Sequence, residues 1–372
     1  MGIVKSEERK KMEYEEFRRM SLACAGVHRR KDQEEFGGKR FPSRVMDDSD
    51  DENDQDRLVC VTGGLSFLGL AIVNHLFSCG YSVRIIVDNP EDTENLREME
   101  RGQGMINRNA ISVVMAKLTE VESLSMAFQG CRGVFHTSAF VDPAGLSGYT
   151  KSMVENEVKV SENVMKACAR TQSVKKCVLT SSLLACVWRD TAQQDIPTVV
   201  NHDCWSQESF CVDRKLWYAL GKLRAEKAAW RIAEETGLKL TTICPGLITG
   251  PQFCFRNPTA TIAYLKGAKE MYEGGVLATV DVNRLAEAHV HVFEAMNKTA
   301  FGRYICFDEV IEREEDAERL ARETNLTKSK ICGGTESSSV HRRLRLSNRK
   351  LSSLMATTLR PCYNQRHHQS EY

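Results

Sequence analysis

Tyr218 and Lys222 are the pair of residues in this sequence whose types and spacing most clearly indicate chemistry. They lie within a helical pattern that runs from about residue 214 to residue 236, and residues four positions apart share one face of a helix. Of the nine tyrosines, only Tyr218 is followed by a lysine four positions later. Ser182 ends the apolar segment KCVLTSS, residues 176–182, which is predicted to be a strand.

A serine, a tyrosine and a lysine can together reduce a carbonyl group. Hydride transfer leaves an alkoxide that must be protonated, and a phenol can do this if its pKa is lowered towards neutrality. Lys222 would lower the pKa of Tyr218 and could also bond the nicotinamide ribose, while Ser182 would hold the carbonyl oxygen. We therefore predict these three as catalytic residues. In the alternative, Tyr218 simply packs, Lys222 is solvated and Ser182 caps a strand.

A glycine-rich turn near residue 60 predicts the matching cofactor site. The segment LVCVTGGLSFLG, residues 58–69, has the pattern of a buried strand, a tight turn and the start of a helix that continues to about Ser78. A helix N-terminus offers free N–H groups to a pyrophosphate. A second strand, residues 81–87, ends at Asp88, whose carboxylate could hold a ribose hydroxyl. The alternative is an ordinary turn that binds nothing.

Further cofactor contacts are expected where parallel strands end, because their carboxyl ends face the ligand crevice. The segment GVFHTS, residues 133–138, is such a strand and ends in small polar residues. The complete set of predicted dinucleotide contacts is Thr62, Gly63, Gly64, Ser66, Phe67, Leu68, Gly69, Asp88, Thr137, Ser138, Tyr218, Lys222 and Pro245. The sequence predicts no metal site.

The order of the elements predicts an α/β fold, a Rossmann doubly wound parallel sheet with a smaller C-terminal substrate lobe. From residue 58 to residue 251 apolar strands alternate with helical segments, as in a parallel sheet. Residues 252–325 are less regular and include a helix at 282–296 and a strand at 302–307; we expect them to form the substrate lobe. Residues 326–372 form a polar extension, with a last helix near 347–355.

Composition limits the function classes. The 372 residues are 42% hydrophobic and 27% charged with a formal net charge of +1, so no global basic field indicates nucleic-acid binding. The 14 cysteines are scattered without a CxxC pair, and no apolar segment resembles a signal or is long enough to span a bilayer. We therefore expect a cytoplasmic protein with reduced thiols, and we expect Cys204 and Cys211 to be unlinked.

The first 57 residues are predicted to be a charged, largely disordered tail. Seven of the ten residues from 47 to 56 are acidic, and such a run repels itself. The start, MGIVKS, fits the short N-myristoylation pattern with Gly2 and Ser6. Attachment to a membrane at one end is therefore an open possibility at the level of the sequence.

Between about residues 58 and 309 the sequence resembles the extended short-chain dehydrogenases, and within them the plant cinnamoyl-CoA reductase and dihydroflavonol reductase group. The resemblance rests on VTGGLSFLG, GYSVRIIVDNPED, GVFHTS, VLTSS, PGLITGP and GRYIC and, most specifically, on CWSQESFCVDRKLWYALGK followed by AEKAAW. It implies a Rossmann domain with a small substrate lobe and NADPH as cofactor. It also implies that Ser182, Tyr218 and Lys222 match the family's catalytic residues.

The cofactor segments depart from this family at three positions. Ser66 stands where the turn usually has its middle glycine, Asp88 replaces an arginine that grips the 2′-phosphate, and Asn95 replaces a second basic residue. A carboxylate repels a phosphate and suits a free ribose diol. The family therefore implies NADP(H), whereas Asp88 favours NAD(H).

Other departures lie nearer the adenine and the substrate. Lys117 occupies the place of an aspartate that usually meets the adenine, and Glu157 and Val160 alter a helix segment that normally reads Asn-Val-Lys-Gly. The family's NWYCYGK signature appears as LWYALGK, residues 216–222, which keeps the catalytic pair and loses the substrate-specific flank.

The leading interpretation is an NAD(P)H-dependent reductase of a phenylpropanoid-like carbonyl or acyl-CoA thioester. Two alternatives come from other classes. One is a catalytically weak NAD(P)-binding protein that acts through partners, and the other is a nucleotide-sugar epimerase or dehydratase on the same fold.

Overall fold

The computed structural model describes residues 57–88, 111–137, 149–190, 198–333 and 343–358. Its strands are β1 (Leu58–Val61), β2 (Ser82–Val87), β3 (Ile111–Met115), β4 (Gly133–His136), β5 (Lys176–Thr180), β6 (Val199–Val200), β7 (Lys239–Pro245), β8 (Leu247–Thr249), β9 (Ala278–Asp281), β10 (Gly302–Cys306), β11 (Glu309–Val310) and β12 (Arg345–Leu346).

Seven of these strands form one parallel sheet in the order β10-β7-β5-β4-β1-β2-β3. The strand order reverses between β1 and β4, and ligands of open α/β sheets bind in the crevice beyond the carboxyl ends of the strands at such a point. The predicted doubly wound Rossmann sheet is confirmed.

The helices cover the sheet on both faces. They are α1 (Phe67–Ser78), α2 (Val121–Phe128), α3 (Lys151–Arg170), α4 (Leu184–Val187), α5 (Glu208–Asp213), α6 (Trp217–Thr236), α7 (Phe253–Arg256), α8 (Pro258–Tyr264), α9 (Ala268–Glu273), α10 (Val282–Ala295), α11 (Glu314–Thr324), α12 (Lys328–Cys332) and α13 (Arg349–Thr358). Helices α3 and α6 pack on each other along their length, α2 packs beside α3, and α1 packs against α10. A core of buried apolar side chains, including Phe128, Val134 and Val164, lies between the sheet and helices α2, α3 and α6.

The predicted boundary at residue 251 does not separate the Rossmann domain from the smaller lobe. Helix α10 and strand β10, which the sequence assigned to the substrate lobe, belong to the Rossmann layer: α10 packs on α1, and β10 pairs with β7 as the edge strand of the large sheet. This pairing could not be predicted from the sequence, because β10 and β7 are about 60 residues apart in the chain and neither carries a local signal of the other. The smaller lobe instead contains the three-stranded sheet β11-β9-β8 and the short helices around it.

Two helix starts differ from the sequence prediction. Helix α6 begins at Trp217 rather than near residue 214, because Lys215 has a left-handed φ of 53° that separates α6 from α5. Helix α1 begins two residues before Gly69, because Ser66 caps it. The myristoylation pattern at Gly2, the tail, Asn95 and Ser138 lie outside the described residues.

Candidate active site

The glycine-rich turn is closed by Ser66, the residue that stands in place of a glycine. Its Oγ accepts a hydrogen bond from the Gly69 N–H at 3.0 Å and donates to the Gly63 carbonyl at 2.7 Å. A Cβ on Gly69 would lie 1.8 Å from the Gly63 carbonyl oxygen, so helix and strand can approach this closely only at glycine. The serine thus has a structural role, as the N-cap of α1, that the sequence analysis missed.

The end of strand β2 carries Asp88, which is exposed. Arg84, on the same strand, is engaged elsewhere: its Nη1 donates to the carbonyl oxygens of Ala127 at 2.7 Å and Gln129 at 2.6 Å, at the end of helix α2. Lys117, which follows β3, is an exposed residue paired with Glu120 at 3.0 Å.

The end of strand β4 places two polar residues beneath the turn. His136 Nδ1 lies 2.9 Å from the Thr62 hydroxyl. Thr62, a predicted cofactor contact, therefore already has a hydrogen-bond partner. Burial and then the charge of Lys222 lower the pKa of His136 to about 3, and the imidazole is neutral. Thr137 is buried, and its Oγ1 has no hydrogen-bond partner within the described part of the chain. A hydroxyl in this state is suited to a ligand that enters the crevice.

Ser182, Tyr218 and Lys222 come together in one cleft at the carboxyl edge of the sheet. Ser182 and Lys222 are nearly inaccessible to solvent, and Tyr218 is half-buried. Other side chains of the cleft come from the turn, from the ends of β4, β5 and β7, and from helix α8; they include Ser66, Phe67, Leu68, Thr137, Pro245 and Tyr264. The Ser182 Oγ also accepts from the Leu184 N–H at 3.2 Å.

Lys222 forms a buried ion pair with Glu157 on helix α3. Its Nζ lies 2.6 Å from Glu157 Oε1, and both side chains are 5% exposed. The other carboxylate oxygen, Oε2, accepts from the Tyr149 hydroxyl at 3.1 Å. The Tyr149 ring packs edge-on against Tyr218 with 5.2 Å between centroids. Glu157 therefore contacts Lys222 directly and is linked to Tyr218 through Tyr149.

These contacts change the expected electrostatics of the tyrosine. Burial raises the pKa of Tyr218, Lys222 lowers it and Glu157 raises it again, so that the pKa lies above its ordinary value. Burial lowers the pKa of Lys222, but Glu157 and Tyr218 raise it above its usual range. The lowered tyrosine pKa expected from the sequence is therefore wrong for this state of the site, because burial and Glu157 outweigh the lysine.

A second buried ion pair lies one turn further along the same face of helix α6, at Glu226. Glu226 is fully buried; its Oε1 accepts from Arg303 Nε at 2.7 Å and from the Thr242 hydroxyl at 2.6 Å, and its Oε2 accepts from the Ser181 hydroxyl at 2.6 Å. The Arg303 guanidinium also donates to the His202 carbonyl at 3.1 Å.

Arg303 also stacks on Trp205, with 3.5 Å between its Cζ and the ring centroid. Three sequence blocks that carry the family resemblance therefore meet at one place: CWS through Trp205, AEKAAW through Glu226 and GRYIC through Arg303. Their shared role could not be read from their positions in the chain.

No group of metal-ligating residues and no helix that could span a membrane is found in the described ranges. Cys204 and Cys211 are both free thiols, as expected. Val160 packs in the core beside α6.

Several known proteins are similar to this chain over most of its length. The model of the 3-beta hydroxysteroid dehydrogenase/isomerase family matches residues 60–304. Cinnamoyl-CoA reductase 1 of Petunia hybrida is 37% identical over 273 residues, which cover 72% of this chain and 77% of that protein. Tetraketide alpha-pyrone reductase 1 of Arabidopsis thaliana is 34% identical over 262 residues, covering 69% of this chain and 78% of that protein.

Among solved structures, vestitone reductase from alfalfa (Medicago sativa) superimposes with a TM-score of 0.58 at 25% identity. The match covers 80% of this chain and 91% of that one. These relatives are reductases, so they support the leading interpretation and neither alternative.

Proposed function

The chain belongs to the 3-beta hydroxysteroid dehydrogenase/isomerase family, and from that premise we propose that it reduces a phenylpropanoid-like carbonyl compound or the corresponding acyl-CoA thioester. It is an NAD(P)-dependent oxidoreductase similar to cinnamoyl-CoA reductases. The observation that carries the proposal is that Ser182, Tyr218 and Lys222 lie in one cleft. This cleft adjoins the glycine-rich turn whose Ser66 caps helix α1.

Three features of the crevice fit a dinucleotide. A Cβ on Gly63 would lie 2.7 Å from Thr137 Oγ1, so only glycine at this position lets the end of β4 approach the turn this closely. The N-terminus of helix α1 points its first N–H groups towards this turn, where a pyrophosphate is favoured. The buried Thr137 hydroxyl supplies a further donor, which has no partner among the described residues. When bound, the nicotinamide supplies the hydride.

Residues of the cleft would then bind the substrate carbonyl oxygen and supply its proton. Ser182 would donate a hydrogen bond to the substrate carbonyl oxygen, and Tyr218 would transfer its hydroxyl proton to that oxygen as negative charge develops there. Lys222 would hold the ribose and stabilise the resulting phenolate. With a thioester substrate, the hemithioacetal collapses, the carbon–sulfur bond breaks and the CoA thiol leaves with an aldehyde as product.

The substrate class is tested with a panel of three compounds: a hydroxycinnamoyl-CoA thioester, an aromatic ketone of the dihydroflavonol type and a UDP-sugar. Consumption of the reduced nicotinamide is followed by absorbance, and conversion of the UDP-sugar by chromatography, because an epimerase or dehydratase regenerates its cofactor. The same mixtures lacking protein are the controls. We expect consumption with an aromatic carbonyl compound and none with the UDP-sugar. Conversion of the UDP-sugar alone would contradict the proposal.

The cofactor preference is argued from the end of strand β2. Asp88 is exposed there, and Arg84 is occupied at the end of helix α2, so no described basic side chain of this strand is available for a 2′-phosphate. A carboxylate close to a phosphate costs on the order of 1 kcal/mol in partly screened surroundings. We propose that NADH binds at least as tightly as NADPH.

Calorimetric titration of both dinucleotides into wild type and Asp88→Arg tests this preference. The substitution should shift binding towards NADPH by about fivefold or more, following from the same electrostatic cost. A clear NADPH preference in the wild type that Asp88→Arg leaves unaltered would show that Asp88 does not face the ribose.

We further propose that the protein works in the cytoplasm, as its free, scattered thiols suggest.

A further inference from the structure

Glu157 is a buried acid that the mechanism above does not use. It projects from helix α3 across to helix α6, and its two carboxylate oxygens are divided between two partners. Oε1 accepts from Lys222 Nζ at 2.6 Å, and Oε2 accepts from the Tyr149 hydroxyl at 3.1 Å. Burial and the adjacent carboxylate raise the pKa of Tyr149 far above its ordinary value, so it remains a hydrogen-bond donor.

The titratable groups around Tyr218 and Lys222 come from several elements. Lys222 lies one turn along the same helix, with its Nζ 5.7 Å from the Tyr218 ring centroid. Glu157 approaches from α3 and the uncharged Tyr264 from α8, while Tyr149 packs on the ring. The neutral His136, on β4, is near Lys222. Lys222 and Glu157 are thus the charged members of this set, and they oppose each other.

The direction of their effect follows from charge alone. A lone ammonium beside a phenol stabilises the phenolate, which is the form that accepts a proton. A carboxylate held against that ammonium cancels much of its field and also fixes the position of the lysine. The phenol then stays protonated to higher pH, and a protonated phenol is the form that a reduction requires at its start.

We infer that Glu157 is a positioning residue that acts through Lys222 to keep Tyr218 protonated and so favours proton donation over proton abstraction at this site. The inference rests on the proposed function, because it assigns Tyr218 as the proton donor. It concerns an equilibrium of the protein itself, however, and can be measured without a substrate.

The test is a spectrophotometric titration of the phenolate in the full-length chain. Wild type and each variant are also titrated with Tyr218→Phe added. Subtracting this second curve from the first isolates the signal of Tyr218. Glu157→Gln removes the charge and keeps the shape, and its Tyr218 midpoint should fall by about one pH unit or more, as expected for a unit charge a few ångströms away. Glu157→Asp, with its carboxylate drawn back by one methylene group, should lie between Gln and wild type.

Glu162→Gln is the matched control on the same helix. Glu162 is also ion-paired, with Arg231 at 2.8 Å and Lys166 at 3.2 Å, but it lies away from the cleft and is 25% exposed. Its removal should leave the Tyr218 midpoint unchanged. Should Glu157→Gln fail to fold, the Asp variant decides alone.

An unchanged midpoint in the folded Glu157 variants, or an equal shift in Glu162→Gln, would overturn the inference. Where turnover is measurable, the alkaline limit of kcat for reduction should move down in parallel with the midpoint, while a purely structural role would lower kcat equally at all pH values. A shifted midpoint without any turnover would uphold the inference and count against the proposed function.

Discussion

The two buried ion pairs of helix α6 have different surroundings. Glu226 and Arg303 are enclosed by strands and by the CWS segment, and each oxygen of Glu226 accepts from at least two groups counting side-chain hydroxyls and the guanidinium. Glu157 and Lys222 border the cleft, and their other close partners are tyrosines. Both carboxylate oxygens of the first pair already have their hydrogen-bond partners within the protein. The second holds one of the residues proposed to act on a substrate.

This difference suggests that the same interaction can serve chemistry at one position of a helix and stability one turn further along. A buried pair is weak evidence for net stabilisation, but removing one partner leaves an uncompensated charge. The Arg303 pair should therefore show its importance in unfolding measurements, and the Lys222 pair should show it in protonation and turnover.

The largest expected effect comes from breaking the Glu226–Arg303 pair. Arg303→Met leaves Glu226 charged and fully buried, and it should lower the free energy of unfolding by about 3–5 kcal/mol. The measurement is urea-induced unfolding. Arg284→Met is the matched control, because Arg284 pairs with Asp308 at 2.7 Å but is 59% exposed; this change should cost less than about 1 kcal/mol. Equal losses in the two variants would contradict the comparison.

A smaller effect concerns acid sensitivity, because each region has one buried imidazole. His136 adjoins the cleft, and His289 contacts Thr180, the residue before Ser181, with 2.8 Å between Nε2 and Oγ1. Burial is the main cause in both: it lowers the pKa of His289 to about 4 and that of His136 to about 3. The pKa of each histidine is lower in the folded state than its unfolded value of about 6.5. At pH values between the two, the unfolded chain therefore binds more protons than the folded one.

Stability from these two histidines is therefore fully present above about pH 6.5 and is lost as the pH falls towards 4. Each contributes a slope of about 1.4 kcal/mol per pH unit within that window. His289→Gln should make the pH dependence of unfolding shallower by about this amount. A slope identical to wild type would show that His289 is not held neutral by the fold.

The sequence predicted the parts of the site that depend on local spacing. Tyr218 and Lys222 are one helical turn apart, and the glycine turn lies within twelve residues, so both could be recognised without tertiary structure. The partners of the two ion pairs could not, because 65 residues separate Lys222 from Glu157 and 77 separate Arg303 from Glu226.

The same limit explains the error in domain assignment. Strand β10 joins the sheet beside β7 only because the chain returns from the smaller lobe, and nothing in GRYIC itself indicates a sheet edge. Glu157 was recognised as a departure from the family pattern, yet its role became visible only when helix α3 was placed against α6. Sequence departures in a buried helix thus gain meaning from the neighbouring helix.

The most direct test of the central claim compares Tyr218→Phe with Lys222→Ala in two measurements, dinucleotide binding by calorimetry and turnover of an aromatic carbonyl substrate. Tyr218→Phe removes only the proton donor, so it should bind the dinucleotide within a few-fold of wild type and lose about a hundredfold or more in rate. Lys222→Ala should weaken both binding and turnover. If Tyr218→Phe turns the substrate over at the wild-type rate, the phenol is not the proton donor and the proposed mechanism is wrong.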